Sequence, residues 1–105
     1  MSKHEKTGAL ILALKEAMEK HGHWEKEPPS AQALASVEPF AVDTLSCAQW
    51  LQWIFIPKMA FLVEHQQPLP TSFAISPYIE EAMKGLDGHS DITRASQDLD
   101  TLFTP

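Results

Sequence analysis

The amino-acid sequence predicts an all-α fold, a compact bundle of four to five helices formed by one domain over residues 1–105. Apolar residues recur every three or four positions over long segments, as they do on the buried face of an amphipathic helix. No run of residues alternates with a period of two between turn dipeptides, so strand signals are absent. The chain is 44% hydrophobic and 21% charged, which together with its length is typical of one globular domain.

The first predicted helix runs from about Lys3 to His21. Gly22 follows as a stop signal, because glycine adopts the left-handed conformation that ends many helices. Pro28 and Pro29 then exclude helix, and Ser30 is placed to cap a short helix over residues 31–36. The apolar stripe of the first helix consists of Leu10, Ile11, Leu14, Ala17, Met18 and His21.

A central apolar helix is predicted to begin at Cys47. Ser46 and Gln49 form a capping box, in which each side chain accepts the free backbone N–H of the other residue. Pro57 lies inside the helical pattern, and because its ring presses on the carbonyl group of Trp53 we expect a kink or a break there. Helical spacing divides the apolar residues into two faces, Trp50, Trp53, Ile54, Pro57 and Phe61 on one and Leu51, Phe55, Met59 and Leu62 on the other.

The C-terminal part is predicted to hold two further helices. Pro68 and Pro70 favour an extended path before them. Ser76 is predicted to cap the first of these helices, with Pro77 at its first position. Ser90 or Asp91 opens the last helix, whose inward stripe is Ile92, Ala95, Leu99, Leu102 and Phe103.

The charge distribution and the apolar runs bear on partners and location. The chain carries 14 acidic and 8 basic residues, a net charge of −6. No segment forms a cationic stripe, so we expect no direct nucleic-acid binding, because phosphate contacts draw their affinity mainly from Lys and Arg. Residues 9–14 are too few for the core of a signal peptide, and polar residues interrupt the apolar stretch over 45–63. We therefore expect a cytoplasmic protein with no membrane partner.

Catalytic and metal-binding patterns are weak. Cys47 is the only cysteine, which excludes an internal disulfide and a cysteine-rich zinc site. A position at a helix start would lower the pKa of its thiol, although a lone cysteine on an apolar helix is usually packed. His21, His23 and Glu25 straddle a helix stop, which is a poor arrangement for a metal site. We expect no enzymatic activity, no catalytic residue, no metal and no cofactor.

A candidate surface for binding a protein partner lies around the central helix. Asp43 and Lys58 are the only charged residues over positions 39–63, and each must reach solvent or a polar partner. Asp43 suits a helix cap, and Lys58 suits an exposed amine on an apolar stem. Aromatic residues beside a cation are also typical interface anchors, with the Pro68–Phe73 segment as the wall of a groove. The candidate residues are Asp43, Trp50, Trp53, Lys58, Pro68, Pro70, Phe73 and Tyr78.

Five stretches of the sequence carry a resemblance to a known family. They are His23-Trp24, Pro39-Phe40-x-x-Asp43-Thr44, Trp50-Leu51-Gln52-Trp53-x-x-Ile56-Pro57-Lys58-Met59, Gln67-Pro68-Leu69-Pro70-x-x-Phe73-Ala74 and Pro77-Tyr78-x-Glu80. In this order they resemble the YqcC-like family of small bacterial proteins, over almost the whole chain. The resemblance implies an all-α fold of several helices with no assigned activity, and an association with a C-type tRNA pseudouridine synthase.

Two functions follow as hypotheses. The favoured one is a non-enzymatic protein-interaction module, which the resemblance makes an accessory to a tRNA pseudouridine synthase. The alternative is a small-molecule-binding protein with a pocket among the central aromatic residues, in which Asp43 and Lys58 supply the polar groups. A concave pocket that contains both charged groups would favour the small molecule, and a flat patch would favour a partner protein.

Overall fold

The helices of the computed structural model, which describes residues 2–70 and 73–103, account for most of the chain. They are α1 (Lys3–Lys20), α2 (Ala31–Leu34), a 3-10 turn (Pro39–Ala41), α3 (Cys47–Trp50), a π-helical turn (Leu51–Phe55), α4 (Ile56–Glu64), α5 (Ser76–Ala82) and α6 (His89–Leu102). Because α3, the π-helical turn and α4 follow one another without a gap, we call them together the central helix. The described residues thus form five helices and contain no strand, which confirms the predicted all-α class.

The core is formed where α1 packs against α6 and α4, and α5 packs against α6. The central helix and α5 supply the remaining core residues. The radius of gyration is 13.3 Å, close to the value of about 13 Å expected for a compact chain of this length. The largest fully buried side chains include Leu14, Met18, Leu51, Met59, Ile79, Met83, Ile92, Leu99 and Phe103. No helix among the described residues is long and apolar enough to cross a membrane.

The predicted caps of the N-terminal half are present. Ser30 accepts a hydrogen bond from the backbone N–H of Ala33 and so caps α2, which is shorter than expected. Ser46 accepts from the N–H of Gln49, and the Gln49 side chain accepts from the N–H of Ser46. This confirms the capping box that begins the central helix.

The helix does not break at Pro57. Instead, the turn before it widens into a π-helix, in which the N–H of Ile56 donates to the carbonyl oxygen of Leu51 five residues earlier. Proline lacks the N–H that an α-helix would use here, and its ring presses on the preceding turn. A wider turn relieves that pressure, so the irregularity expected at Pro57 takes the form of a π-helical turn.

The start of α5 differs from the prediction. Ser76 is the first helical residue, and no side chain from the chain just before it caps the helix. The carboxylate of Asp100 on α6 instead accepts hydrogen bonds from the backbone N–H groups of Ile75 (2.8 Å) and Ser76 (2.9 Å). The predicted Ser76 cap is therefore wrong, because a charged acceptor from another helix satisfies the same donors.

Candidate functional site

An open groove of about 390 Å³ lies between the central helix and the segment that leads into α5. We call it the aromatic groove. Its floor is formed by core residues, and its mouth opens to solvent. The residues that line it are Phe40, Trp50, Ile54, Phe55, Lys58, Met59, Pro70, Phe73, Ala74 and Ile75.

The π-helical turn brings two of these rings together. Trp50 and Phe55 are stacked, with ring centroids 5.3 Å apart and an interplanar angle of 28°. In an α-helix of 3.6 residues per turn, residues five positions apart point about 140° away from each other. A π-helical turn places the fifth residue almost one full turn later, so both rings reach the same side. Burial follows the predicted division into two faces, because Leu51, Phe55 and Met59 are buried. On the other face, Pro57 and Phe61 are exposed. The stack of Trp50 on Phe55 is the departure from it, since it pairs two residues that the prediction places on different faces.

Phe40 closes one end of the groove. Its ring lies 4.4 Å from that of Tyr78 in a stacked arrangement and 4.8 Å from that of Trp50 in an edge-on arrangement. Phe40 and Ala41 both have left-handed backbones, with φ of 57° and 49°. Such a conformation costs about 1–3 kcal/mol for each residue that is not glycine. The two ring contacts of Phe40 offset part of this cost, and they hold its ring against the groove.

Phe73 forms the opposite wall. Its ring is stacked on that of Phe103 at a centroid distance of 4.4 Å and meets that of Phe55 edge-on at 5.7 Å. Phe103 is buried at the end of α6. Together with the bonds from Asp100 to Ile75 and Ser76, this stack fixes the groove wall to α6.

Among the described residues that line the groove, Lys58 is the only charged one. Its side chain is exposed, and within residues 2–70 and 73–103 no carboxylate lies within 4 Å of its amine. Asp43 is not beside it. The Asp43 carboxylate accepts a hydrogen bond from the Ser36 hydroxyl, in the connection between α2 and the central helix.

The structure brings only some of the candidate residues together. Trp50, Lys58, Pro70 and Phe73 line the aromatic groove, and Tyr78 borders it through its contact with Phe40. Three others, Asp43, Trp53 and Pro68, do not line it. Residues 71 and 72 of the predicted groove wall lie outside the described residues.

Trp53 forms a hydrogen bond with the segment that follows α1. Its indole N–H donates to the Glu25 carboxylate at 3.1 Å. Beside it, the buried Gln52 side chain accepts from the N–H of Glu25 and donates to the Glu25 carbonyl oxygen, both at 2.7 Å. Trp50 and Trp53 are each half-buried, but Trp53 contacts this connection and Trp50 contacts the groove.

Cys47 is buried behind the groove. Loss of solvation raises the pKa of its thiol from 9.0 to about 12. Burial, and then the proximity of Cys47, raises the pKa of the Tyr78 hydroxyl. The pKa expected to be lowered at the helix start is thus raised, because burial removes the solvation of the thiolate. A thiol protonated at neutral pH is not an activated nucleophile.

The histidines considered as metal ligands make other contacts. His21 Nε2 lies 2.9 Å from a carboxylate oxygen of Asp91, and His23 Nε2 lies 2.7 Å from the carbonyl oxygen of Asp87. The hydrogen bond from His21 lowers the pKa of the Asp91 carboxyl. The first contact joins the end of α1 to the first turn of α6, and the second joins the chain after α1 to the connection between α5 and α6. No group of three or more His, Cys, Asp or Glu residues in the described part of the chain could hold a metal ion.

Comparison with known proteins shows the family. A family model described as "tRNA pseudouridine synthase C" matches residues 6–102. The uncharacterised protein YqcC of Escherichia coli K12 is 37% identical over 83 residues, which are 79% of this chain and 76% of that protein. This chain belongs to the YqcC-like family. The solution NMR structure of E. coli YqcC matches with a TM-score of 0.84 and 35% identity, over 98% of this chain and 89% of that one.

Two further relatives differ in the extent of the match. An uncharacterised protein of Haemophilus influenzae is 57% identical over 61 residues, which are 58% of this chain and 58% of the relative's length. A protein of Pectobacterium carotovorum named "tRNA pseudouridine synthase C" is 31% identical over 85 residues. That match covers 81% of this chain but only 23% of the Pectobacterium protein.

Proposed function

We propose that this chain is a cytoplasmic, non-enzymatic interaction module that acts as an accessory to tRNA pseudouridine synthase C, and that the aromatic groove is the docking surface. The Pectobacterium match carries the proposal, because a protein named for that activity contains a region similar to most of this chain within a much longer polypeptide. Two modules in one polypeptide meet at high effective concentration without strong contacts. When the same module is a separate chain, it needs a surface of its own to associate.

The composition of the groove supports a protein partner. Trp and Tyr are among the residues most often found at the energetic centre of interfaces, and here Trp50 and Tyr78 lie in or beside one concave apolar surface that Lys58 also lines. Exposed apolar concavities of this kind are typical of interaction sites.

The charge of the chain supports the same partner. A synthase that acts on tRNA needs basic surface to hold phosphates. An accessory with a net charge of −6 is attracted to such a partner, whereas RNA itself is repelled. The small-molecule alternative lacks its polar pair, because Asp43 bonds to Ser36 away from the groove and Lys58 alone lines it.

The test is a binding titration of the purified chain against the synthase from the same genome, by calorimetry and size-exclusion chromatography, with and without tRNA. We expect a complex at tens of micromolar or below. Trp50→Ala removes an anchor and should weaken binding about 30-fold or more, as loss of an interface anchor does. Phe61→Ala, which removes an exposed ring of the same helix outside the groove, is the matched control and should change little.

A second variant separates binding from folding. Ala74 is exposed and lines the groove, so Ala74→Gln fills part of the groove without removing core contacts. We expect an unchanged circular dichroism spectrum and melting temperature, with weakened binding. No association at tens of micromolar, with or without tRNA, would refute the synthase proposal. Tight binding of tRNA to the isolated chain would refute the choice of a protein partner.

A further inference from the structure

We propose that the aromatic groove recognises a particular chemistry on its partner: a bulky apolar side chain, with a carboxylate one or two residues away that pairs with Lys58. This inference rests on the proposed function and names the kind of synthase segment that the groove accepts. It assigns an apolar subsite to the groove floor and a charge-pairing role to one residue at the rim.

The apolar subsite lies among the rings of Trp50, Phe55 and Phe73. Its floor consists of Met59 and Ile75, which are buried in the core. The volume of about 390 Å³ is near the lower end of the range of about 300–1,000 Å³ for ligand pockets. Such a groove holds one or two large apolar side chains and is too small for the face of a long helix.

Of the residues that the structure describes at the rim of the groove, one carries a positive charge. Lys58 lies one turn after Ile54 on the groove side of the central helix. Asp43, the only other charged residue over positions 39–63, bonds to Ser36 instead. With no carboxylate of the described residues within 4 Å, the Lys58 amine is available to a partner. Apolar walls strengthen a charge pair at their edge, because less water screens it.

The subsite is already formed before a partner arrives. The stack of Phe73 on Phe103 and the bonds from Asp100 to Ile75 and Ser76 hold one wall. The π-helical turn positions the other wall, where Trp50 and Phe55 are stacked. A partner segment therefore meets side chains that already contact the core, which lowers the binding energy spent on ordering them.

The acidic character of the chain decides between two anionic occupants. An RNA phosphate and a protein carboxylate would both be attracted to Lys58. RNA would also approach a molecule whose net charge is −6, and each additional phosphate would add repulsion. A protein segment with one carboxylate forms the ion pair with Lys58 without the repulsion that many phosphates would add.

The first experiment measures binding of Lys58→Glu to the intact synthase at low salt. We expect about tenfold weaker binding or more, because a carboxylate of the partner would then face a carboxylate. The loss should shrink as salt is added. Lys84→Glu is the matched control, since Lys84 is exposed, does not line the groove and gives the same change of net charge. It should bind as the wild-type chain does.

The second experiment identifies the segment. Overlapping 15-residue peptides that cover the synthase sequence are probed with the wild-type chain and with Ala74→Gln. We expect the peptides that lose binding to Ala74→Gln to carry a large apolar residue with Asp or Glu within two positions. Changing that acid to Lys should weaken binding to the wild-type chain and restore binding to Lys58→Glu.

The outcomes separate this inference from the proposed function. If Lys58→Glu binds the synthase as tightly as Lys84→Glu while Ala74→Gln is weakened, the groove docks the synthase and the charge pairing is refuted. Groove-dependent peptides that lack an acid refute it equally. If the wild-type chain binds no synthase, the proposed function fails, and this inference fails with it.

Discussion

Asp100 joins α6 to the start of α5, and its replacement is the sharpest test of how the groove wall is held. Its carboxylate accepts hydrogen bonds from the N–H groups of Ile75 and Ser76 at 2.8 and 2.9 Å. Ile75 also forms part of the groove floor. The Asp100→Ala variant removes both acceptors and leaves two partly buried donors at a helix start without them.

The expected loss of stability in Asp100→Ala follows from these two hydrogen bonds. A hydrogen bond to a charged group contributes about 1.5–3 kcal/mol, and loss of a helix N-cap costs about 0.5–2 kcal/mol. Because the two bonds form one cap and are not additive, we expect Asp100→Ala to lower the free energy of unfolding by about 2–4 kcal/mol. For a domain of this size that corresponds to a fall in melting temperature of about 10–20 °C. Asp100→Asn keeps one acceptor oxygen and should lose about half as much.

The assay is urea unfolding followed by circular dichroism, together with thermal melts. Asp98→Asn is the control, because Asp98 is an exposed acid two residues earlier on the same helix. It should change the free energy of unfolding by less than about 0.5 kcal/mol. If Asp100→Ala is as stable as Asp98→Asn, the cap between the helices contributes nothing and the account of the groove wall is wrong.

Three further predictions concern other parts of the fold. The pKa of the Cys47 thiol is about 12 in the folded chain, against 9.0 for a solvated thiol. At pH 8 the thiolate is therefore about a thousandfold scarcer in the folded chain than in the unfolded chain. A disulfide reagent should react with Cys47 about a thousandfold more slowly before denaturation than after it. Because the unfolded state ionises first, stability should also fall as the pH rises above 9. Gly22 and Gly88 both have φ of +78°, but only at Gly88 would a Cβ collide with another residue, 2.3 Å from His21 Cγ. In urea unfolding, Gly88→Ala should therefore lower the free energy of unfolding by at least about 1 kcal/mol more than Gly22→Ala does. Gln66 has a left-handed backbone after the end of α4, with φ of 51°. Gln66→Gly should therefore raise the free energy of unfolding by about 0.5–1 kcal/mol and the melting temperature by a few degrees. A lower melting temperature would contradict this.

Local rules predicted most of the helices. The caps of α2 and the central helix, the stop after α1 and the stripe of α6 depend on residues within a few positions of one another. The buried residues Ile92, Ala95, Leu99 and Phe103 follow the predicted stripe of the last helix. Such features depend on free backbone donors and on helical periodicity, and both can be recognised from a single sequence.

The groove could not be predicted in the same way. Pairing Trp50 with Phe55 requires a π-helical turn, and periodicity analysis assumes an α-helix throughout. Pro57 signalled an irregularity but not its form. The cap from Asp100 to Ser76 joins residues 24 positions apart, and Trp53 donates to Glu25 across 28 positions, so neither leaves a local pattern.

The most direct test of the aromatic groove as the docking surface uses the three tryptophans, Trp24, Trp50 and Trp53, as reporters. Each gives one indole N–H signal in a ¹⁵N-labelled sample, and Trp50 alone among them lines the groove. Addition of unlabelled tRNA pseudouridine synthase C should shift or broaden the Trp50 signal first and most, while Trp53 stays bonded to Glu25. A complex in which the Trp50 signal is unchanged, or in which Trp24 and Trp53 move instead, would contradict the account.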